Sequence, residues 1–348
     1  MVTLAPESIR ITSLLRLLPA RMDVRESLDA YRSAGGFSSS ARSLSPAQLI
    51  ARVEDSGLLG RGGSFFPTAT KLRLVAAQPG RHVVLVNGAE SEPASKKDVS
   101  LMLLRPHLVL EGAVLAAHAV GADEIVVYLH DRRAKESIDL AKREIDQTSV
   151  RLPKLRTVVA PPSYVAGEQS AAIQWVNGRA AKPTMKPPRA HEKGVAGRPT
   201  LVQNVETLAN VALIAREGPD WFRSAGTSSL PGTMLVTLNG GIRRSGVYEI
   251  PTGIGLEEVL MEFGGGMPDG LQAVLPGGYF AGWLAPEQVW RGIRFDRESL
   301  SAVGAGLGAN ALVGGTSGSI NLQVLSVSGQ IGLNLAATGT SMTLAPAN

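Results

Sequence analysis

Residues 82–93, HVVLVNGAESEP, decide the fold. The uninterrupted apolar run from Val83 to Val86 leaves neither side of the segment to water. That pattern marks a strand covered on both faces, as in a parallel sheet. The strand runs straight into a loop holding Asn87, Gly88, Glu90 and Glu92, and the carboxyl ends of parallel strands are where open α/β sheets bind ligands. Downstream, the pattern predicts a helical run over 97–120, a strand over 124–129 and a charged helix over 132–145. Ala134, Ile138, Ala141 and Ile145 stripe that helix at the 3.6-residue period. A strand over 155–160 and a turn and helix over 164–176 follow. Upstream, Ser45 and Pro46 start a helix as N-cap and first-turn proline, with Leu49, Ile50 and Val53 on one face and Gly57 at its end. Residues 68–77 form a further helix that stops at Pro79-Gly80. Strands alternating with helices predict a layered α/β domain over 45–230, behind a weakly periodic leader, 1–44.

The texture changes after that. Residues 234–238 and 246–250 read as strands joined by a glycine turn at 239–241. Leu256, Val259, Leu260 and Phe263 fall on one helical face, and 272–275 returns as a strand. This is a small, separate α+β module over 231–298. Beyond Glu298 no Asp, Glu, Lys or Arg occurs, where average usage would place about nine. The tail, 299–348, either packs as short strands or stays poorly ordered.

Composition narrows the function classes. The chain has 348 residues, 44% of them hydrophobic and 19% charged, enough to bury cores in more than one folding unit. Its 35 basic and 30 acidic residues are spread without a basic stripe or interleaved aromatics, so the sequence does not read as a nucleic-acid binder. It contains no cysteine, which excludes disulfides, catalytic thiols and a thiolate-held iron–sulfur cluster within this chain. No stretch reaches the roughly 18 charge-free apolar residues of a membrane helix. The N-terminus lacks a secretory cleavage pattern, and the expected location is cytoplasmic.

Four stretches carry chemistry. Residues 57–71, GLLGRGGSFFPTATK, combine glycines at 60, 62 and 63 with Arg61 and Lys71. Glycine lets the backbone approach an anion closely and turn its amides toward it, and the cations add fixed charge. In 86–93, VNGAESEP, Asn87 can read an amide-bearing ring edge, while Glu90 and Glu92 can accept from hydroxyls or amides. In 164–170, YVAGEQS, Gly167 permits close approach and Glu168 offers a polar contact. The stretch 199–207, PTLVQNVET, sets Gln203, Asn204 and Thr207 beside apolar residues. Each also has a plain structural explanation: a glycine turn, a solvated acidic loop, an acidic helix start and a capped helix start. The five histidines show no metal-ligand spacing, and no nucleophile elbow or Walker loop is present.

Taken together and in order, GLLGRGGSFFPTATK, VNGAESEP with KKD after it, YVAGEQSAAIQWVNG, KPP and GRPTLVQNVETLAN resemble the NADH-binding flavoprotein (FMN) subunit family of respiratory complex I and related NAD-linked oxidoreductases. The resemblance spans roughly 45–312. It implies a Rossmann-like FMN-binding domain followed by a small β-grasp (SLBB-type) module. The family's C-terminal iron–sulfur domain is lacking, and an atypical cysteine-free tail stands in its place. It implies FMN contacts at Gly60, Arg61, Gly62, Gly63 and Lys71 and flavin- or nicotinamide-side contacts at Asn87, Glu90 and Glu92. Tyr164, Gly167, Glu168 and Asn204 match further cofactor-binding segments, and no side chain is expected to be catalytic or to bind metal.

The chain departs from the family pattern at Phe65, where glycine is usual. It also carries Ala89 for an acidic residue, Gln169 for a second glutamate and Leu74 for an aromatic. The last 35 residues match nothing in that family, and the tail reads as a truncated or frame-shifted end. The expected function is an FMN-dependent module accepting hydride from NADH and passing electrons to an iron–sulfur or other electron-transfer protein, or to a quinone. Such a module would be cytoplasmic and peripheral to a membrane complex. The alternative is a non-catalytic binding or assembly subunit that kept the fold. The flavin reading fails if Phe65 walls off the glycine loop or if Arg61 and Lys71 point into solvent.

Overall fold

The computed structural model describes residues 15–277, 282–296, 298–299 and 310–314. Strands β1 (His82–Gly88), β2 (Ala122–Leu129), β3 (Lys154–Val159) and β4 (Thr200–Asn204) form a sheet in the order β3-β2-β1-β4. Every neighbouring pair in it is parallel. The run at 83–86 is covered on both sides: Val84 and Val86 join one apolar cluster, Val83 and Leu85 another, as the two-residue period of a strand requires.

Around this sheet stand α1 (Leu28–Ser33), α2 (Ser39–Arg42), α3 (Pro46–Asp55), α4 (Thr68–Ala76), α5 (Lys97–Leu104), α6 (Pro106–Val120), α7 (Arg132–Asp146), α8 (Gln169–Val176), α9 (Val205–Glu217) and α10 (Pro219–Arg223). Ser45 and Gln48 close a capping box at the start of α3, which fixes that helix where the sequence predicts it. Helices α6 and α9 touch backbone to backbone: a Cβ on Gly112 would lie 1.9 Å from the Leu208 carbonyl oxygen.

Three sequence expectations change. The single helix over 97–120 is two helices, bent by 99°. Pro106 has no N–H to donate and pushes the residue before it out of helical geometry, and Arg105 accordingly sits at φ −131°, ψ 55°. Residues 200–204, read only as the lead into a capped helix, are strand β4, paired with β1. The segment read as a leader supplies Leu17, Tyr31 and Phe37 to the main core. No single described helix is long and apolar enough to cross a membrane.

A second sheet contains β5 (Thr233–Gly240), β6 (Gly246–Pro251), β7 (Ala273–Pro276) and β8 (Asn310–Gly314), in the order β6-β5-β8-β7. Its outer pairs are antiparallel and its central pair, β5 with β8, is parallel. Strand β8 comes from the segment that the sequence assigned to the tail. Helix α11 (Leu256–Glu258), a π-helical turn (Val259–Phe263) and helix α12 (Pro286–Trp290) accompany this sheet. One of its faces buries Met234, Val236, Leu238 and Ile250 against Leu256 and Leu260. The opposite face turns to the parallel-sheet unit, where Leu235 joins the main core.

Candidate functional site

From β1 the chain adds β2 and β3 on one side, then crosses back to place β4 on the other. Such a reversal opens a crevice at the carboxyl ends of the two inner strands, and this is where doubly wound sheets bind ligands. Asn87 and Asn204, register partners at the ends of β1 and β4, mark that crevice.

The glycine loop is pinned at its base. Thr68 N donates to Leu58 O at 3.0 Å, and Gly60 N donates to Phe66 O at 2.9 Å. Gly62 approaches β4 so closely that a Cβ would stand 3.2 Å from the Asn204 Cβ, and Gly63 has φ +102°. The backbone at Gly63 favours glycine, and Gly62 leaves little room for a side chain. Phe65 also has positive φ, +50°, a conformation costly for a bulky residue. Its side chain is buried in the mixed sheet's apolar cluster with Leu230 and Met234.

Arg61 is completely buried. Its N–H donates to Thr207 Oγ1 and its Nη2 to Pro231 O, each at 2.8 Å. Nε and Nη1 have no hydrogen-bond partner among the described residues. Burial lowers its pKa, opposed by the charge of Glu206. Lys71, on α4, donates from Nζ to Val202 O at 2.7 Å. Burial, then repulsion from Lys186, brings its pKa down to about 8. Both cations point inward.

The loop after β1 is tied to the turn at Tyr164–Gly167. Asn87 Nδ2 donates to Gly167 O at 2.9 Å, and Gly167 N donates to Ser91 Oγ at 3.0 Å. A Cβ on Gly167 would lie 2.6 Å from Ala89 O, so the two loops can meet only because this residue is glycine. Both oxygens of Glu90 cap α5: Oε1 accepts from Lys97 N at 2.9 Å and from Ser95 Oγ, and Oε2 from Asp98 N and Val99 N at 3.2 Å. Burial, then the charge of Asp98, pushes its pKa up to about 7. Glu92 and Tyr164 are half-buried on the same two loops. Glu168 caps α8 through Ser170 N and Ala171 N, at 2.7 and 3.0 Å, and reaches Lys186 Nζ at 3.4 Å.

Under the crevice lies a charged cluster that the sequence reading did not place in the site. Lys97 Nζ bonds Asp98 Oδ1 at 3.0 Å and Glu206 Oε2 at 2.8 Å, with all three residues buried. Asn204 joins the cluster to the glycine loop: Nδ2 donates to Asp98 Oδ2 at 2.6 Å, and Oδ1 accepts from Glu206 N at 2.9 Å. Burial opposes the charge on Lys97, but Asp98, Glu206 and Glu90 outweigh it and hold the ammonium above its ordinary pKa. Burial raises the pKa of Glu206. The available signal was the position of KKD and of Glu206 at the heads of apolar helical runs, where a charge must find a buried partner.

Beside α8 opens a cleft of about 560 Å³ whose lining includes Gln169, Ser170, Arg179, Met185, Lys186 and Lys193. Among the described residues, three cations and no carboxylate line it, one of those cations being Lys186, which meets Glu168.

Residues 53–213 match the family described as the Nuo51 FMN-binding domain, and residues 294–345 match one described as a protein of unknown function, DUF992. The tail therefore does have a counterpart outside the flavoprotein family. An NADH-quinone oxidoreductase subunit from Mycobacterium bovis is 36% identical over 305 residues, 82% of this chain and 67% of that protein. Its counterpart from Streptomyces coelicolor is 35% identical over 315 residues, 85% of this chain and 69% of its own length. Among solved structures, an NAD+-reducing [NiFe]-hydrogenase in the air-oxidized state superposes with a TM-score of 0.71 at 32% identity. That match covers 79% of this chain and 47% of the hydrogenase chain, so the chain spans about half the length of its structural relative. With this identity over two thirds of an NADH-quinone oxidoreductase subunit, and the same parallel sheet, the chain belongs to the Nuo51 FMN-binding domain family.

Proposed function

We propose that the chain is an FMN-dependent oxidoreductase module that accepts hydride from NADH and passes electrons to a partner. The observation that carries this reading is the pair of orphaned donors on Arg61, buried beside a glycine loop at the sheet's crossover point. Buried donors without acceptors are costly, and an anionic ligand would satisfy them. With the close approach at Gly62 and the positive φ at Gly63, they fit the phosphate end of a flavin mononucleotide.

When bound, FMN supplies hydride acceptance and release of single electrons. The protein's own work is to bind and orient. Gly60, Gly62 and Gly63 present backbone, while Lys71 and Arg61 supply positive charge. Asn87 and Asn204 fix polar groups at the two strand ends. Glu90 holds the start of α5 in place under the loop that carries Glu92, and Gly167 and Glu168, with Tyr164, close the far side. The cleft beside α8 offers volume and three cations suited to the pyrophosphate of a dinucleotide.

The mixed sheet, with its central parallel pair flanked by antiparallel strands, reads as a β-grasp module of the SLBB type. Because these 348 residues hold no cysteine, an iron–sulfur centre receiving the electrons would be held outside them, in an electron-transfer partner; a quinone is the other acceptor class. The module would work at the cytoplasmic, peripheral side of a membrane complex.

Purified protein reconstituted with FMN should show a flavin absorption band that bleaches when NADH is added anaerobically. A chain that takes up FMN but is not bleached by NADH would instead be the binding or assembly subunit, and the oxidoreductase reading would be wrong.

A further inference from the structure

Strand β5 has two faces with different tasks. Its even-numbered residues Met234, Val236 and Leu238 fill the mixed sheet's own core. From its other side, from its main chain and from Pro231 two residues before it, four hydrogen bonds reach the candidate site. Pro231 O accepts from Arg61 Nη2 at 2.8 Å. Leu235 N donates to Glu206 Oε1 at 3.0 Å. Thr237 Oγ1 accepts from Lys96 N at 3.0 Å, and Asn239 Nδ2 donates to Ala94 O at 2.9 Å. The spacing of 237 and 239 puts their two side chains on one side of the strand, while Leu235 contributes its main-chain N–H. Strand β8 runs beside β5 only from Thr237 onward, and Glu206 takes the Leu235 N–H ahead of that point. The loop after β1 and the N-terminus of α9 are thus fastened to β5, and the glycine loop to Pro231 at its approach.

We propose that β5 is the positioning strand of the cofactor site, with Thr237 and Asn239 as positioning residues that set the separation of the loop after β1 from the glycine loop. Thr237 and Asn239 carry the side chains that do this, and neither contributes to the apolar cluster of the mixed sheet. The flavin part of this inference rests on the proposed function above; the positioning of the loops does not.

The test uses the full chain and the double variant Thr237→Val/Asn239→Ala, with hydrogen–deuterium exchange read before any flavin is added. Losing two hydrogen bonds of ordinary strength should speed exchange in peptides covering 90–99 about five- to tenfold, with β1 and α6 unchanged. Thr237→Ser, which keeps the acceptor, should exchange like the unsubstituted chain. FMN affinity of the double variant, measured by fluorescence quenching, should fall by a similar factor. Unchanged exchange at 90–99 would overturn the proposal. So would equal acceleration throughout the chain, which would mean that the two residues only stabilise the fold. If the unsubstituted chain binds no FMN, the cofactor reading fails, while the exchange result still decides whether β5 positions the loops.

Discussion

The two sheets have the same number of strands and are covered in different ways. The parallel sheet is enclosed by helices of its own unit, with separate apolar clusters on its two faces. The mixed sheet packs one face on its own helical turn and lends the other to its neighbour, so that Leu235 and Met234, adjacent in sequence, lie in different cores. Both kinds of strand read as mainly apolar runs, VVLV at 83–86 and TMLVTL at 233–238. The first run means burial within a unit and the second means burial between units. The physical difference lies in the polar residues that interrupt the second run. Thr233 bonds Glu249, and Thr237 bonds the loop after β1.

This contrast can be attacked in order of expected effect. Lys97→Met strands Asp98 and Glu206 as buried carboxylates under the site and should cost about 3–5 kcal/mol, measured as a shift in the urea midpoint. A double-mutant cycle with Glu206→Gln should recover part of that loss. Gly112→Ala drives a methyl group into the α9 backbone, and a cost of about 3 kcal/mol is expected; calorimetry would register the lower melting temperature. Leu235→Ala should cost about 2–3 kcal/mol and lower one shared transition. A mixed sheet that melts separately, leaving the parallel sheet untouched, would break the comparison.

The last test concerns pH. Lys71 titrates near 8 in the folded chain against its ordinary 10.5, so between these values the folded state holds fewer protons than the unfolded. Stability should therefore rise with pH across that window, and Lys71→Met should abolish the rise in a series of denaturation curves.

How much of this was legible in the sequence depends on range. The double-sided burial of 83–86, the N-cap at Ser45 and the stripe on α7 are local patterns, and each reappears in the structure. The bend at Arg105 was written in Pro106, but the apolar continuity on either side of it reads as one helix. Strand β4 is five residues long and runs directly into α9, so its two-residue period had no length in which to show. The glycine, Asn87 and Asn204 positions were visible as residue types that loops at strand ends require. The Lys97–Glu206 pair and the bonds of Thr237 and Asn239 to the loop after β1 join residues more than a hundred positions apart, and only the fold brings them into contact.

In the proposed function a flavin mononucleotide binds at the ends of β1 and β4, with Lys71 as a charged contact. Titrating the full chain with FMN, followed by quenching of flavin fluorescence from pH 6 to pH 10, tests it most directly. Titration should saturate at one flavin per chain, with affinity that weakens as pH rises through about 8 and no such pH step in Lys71→Met. Binding that never saturates, or a pH step that survives in Lys71→Met, would contradict it.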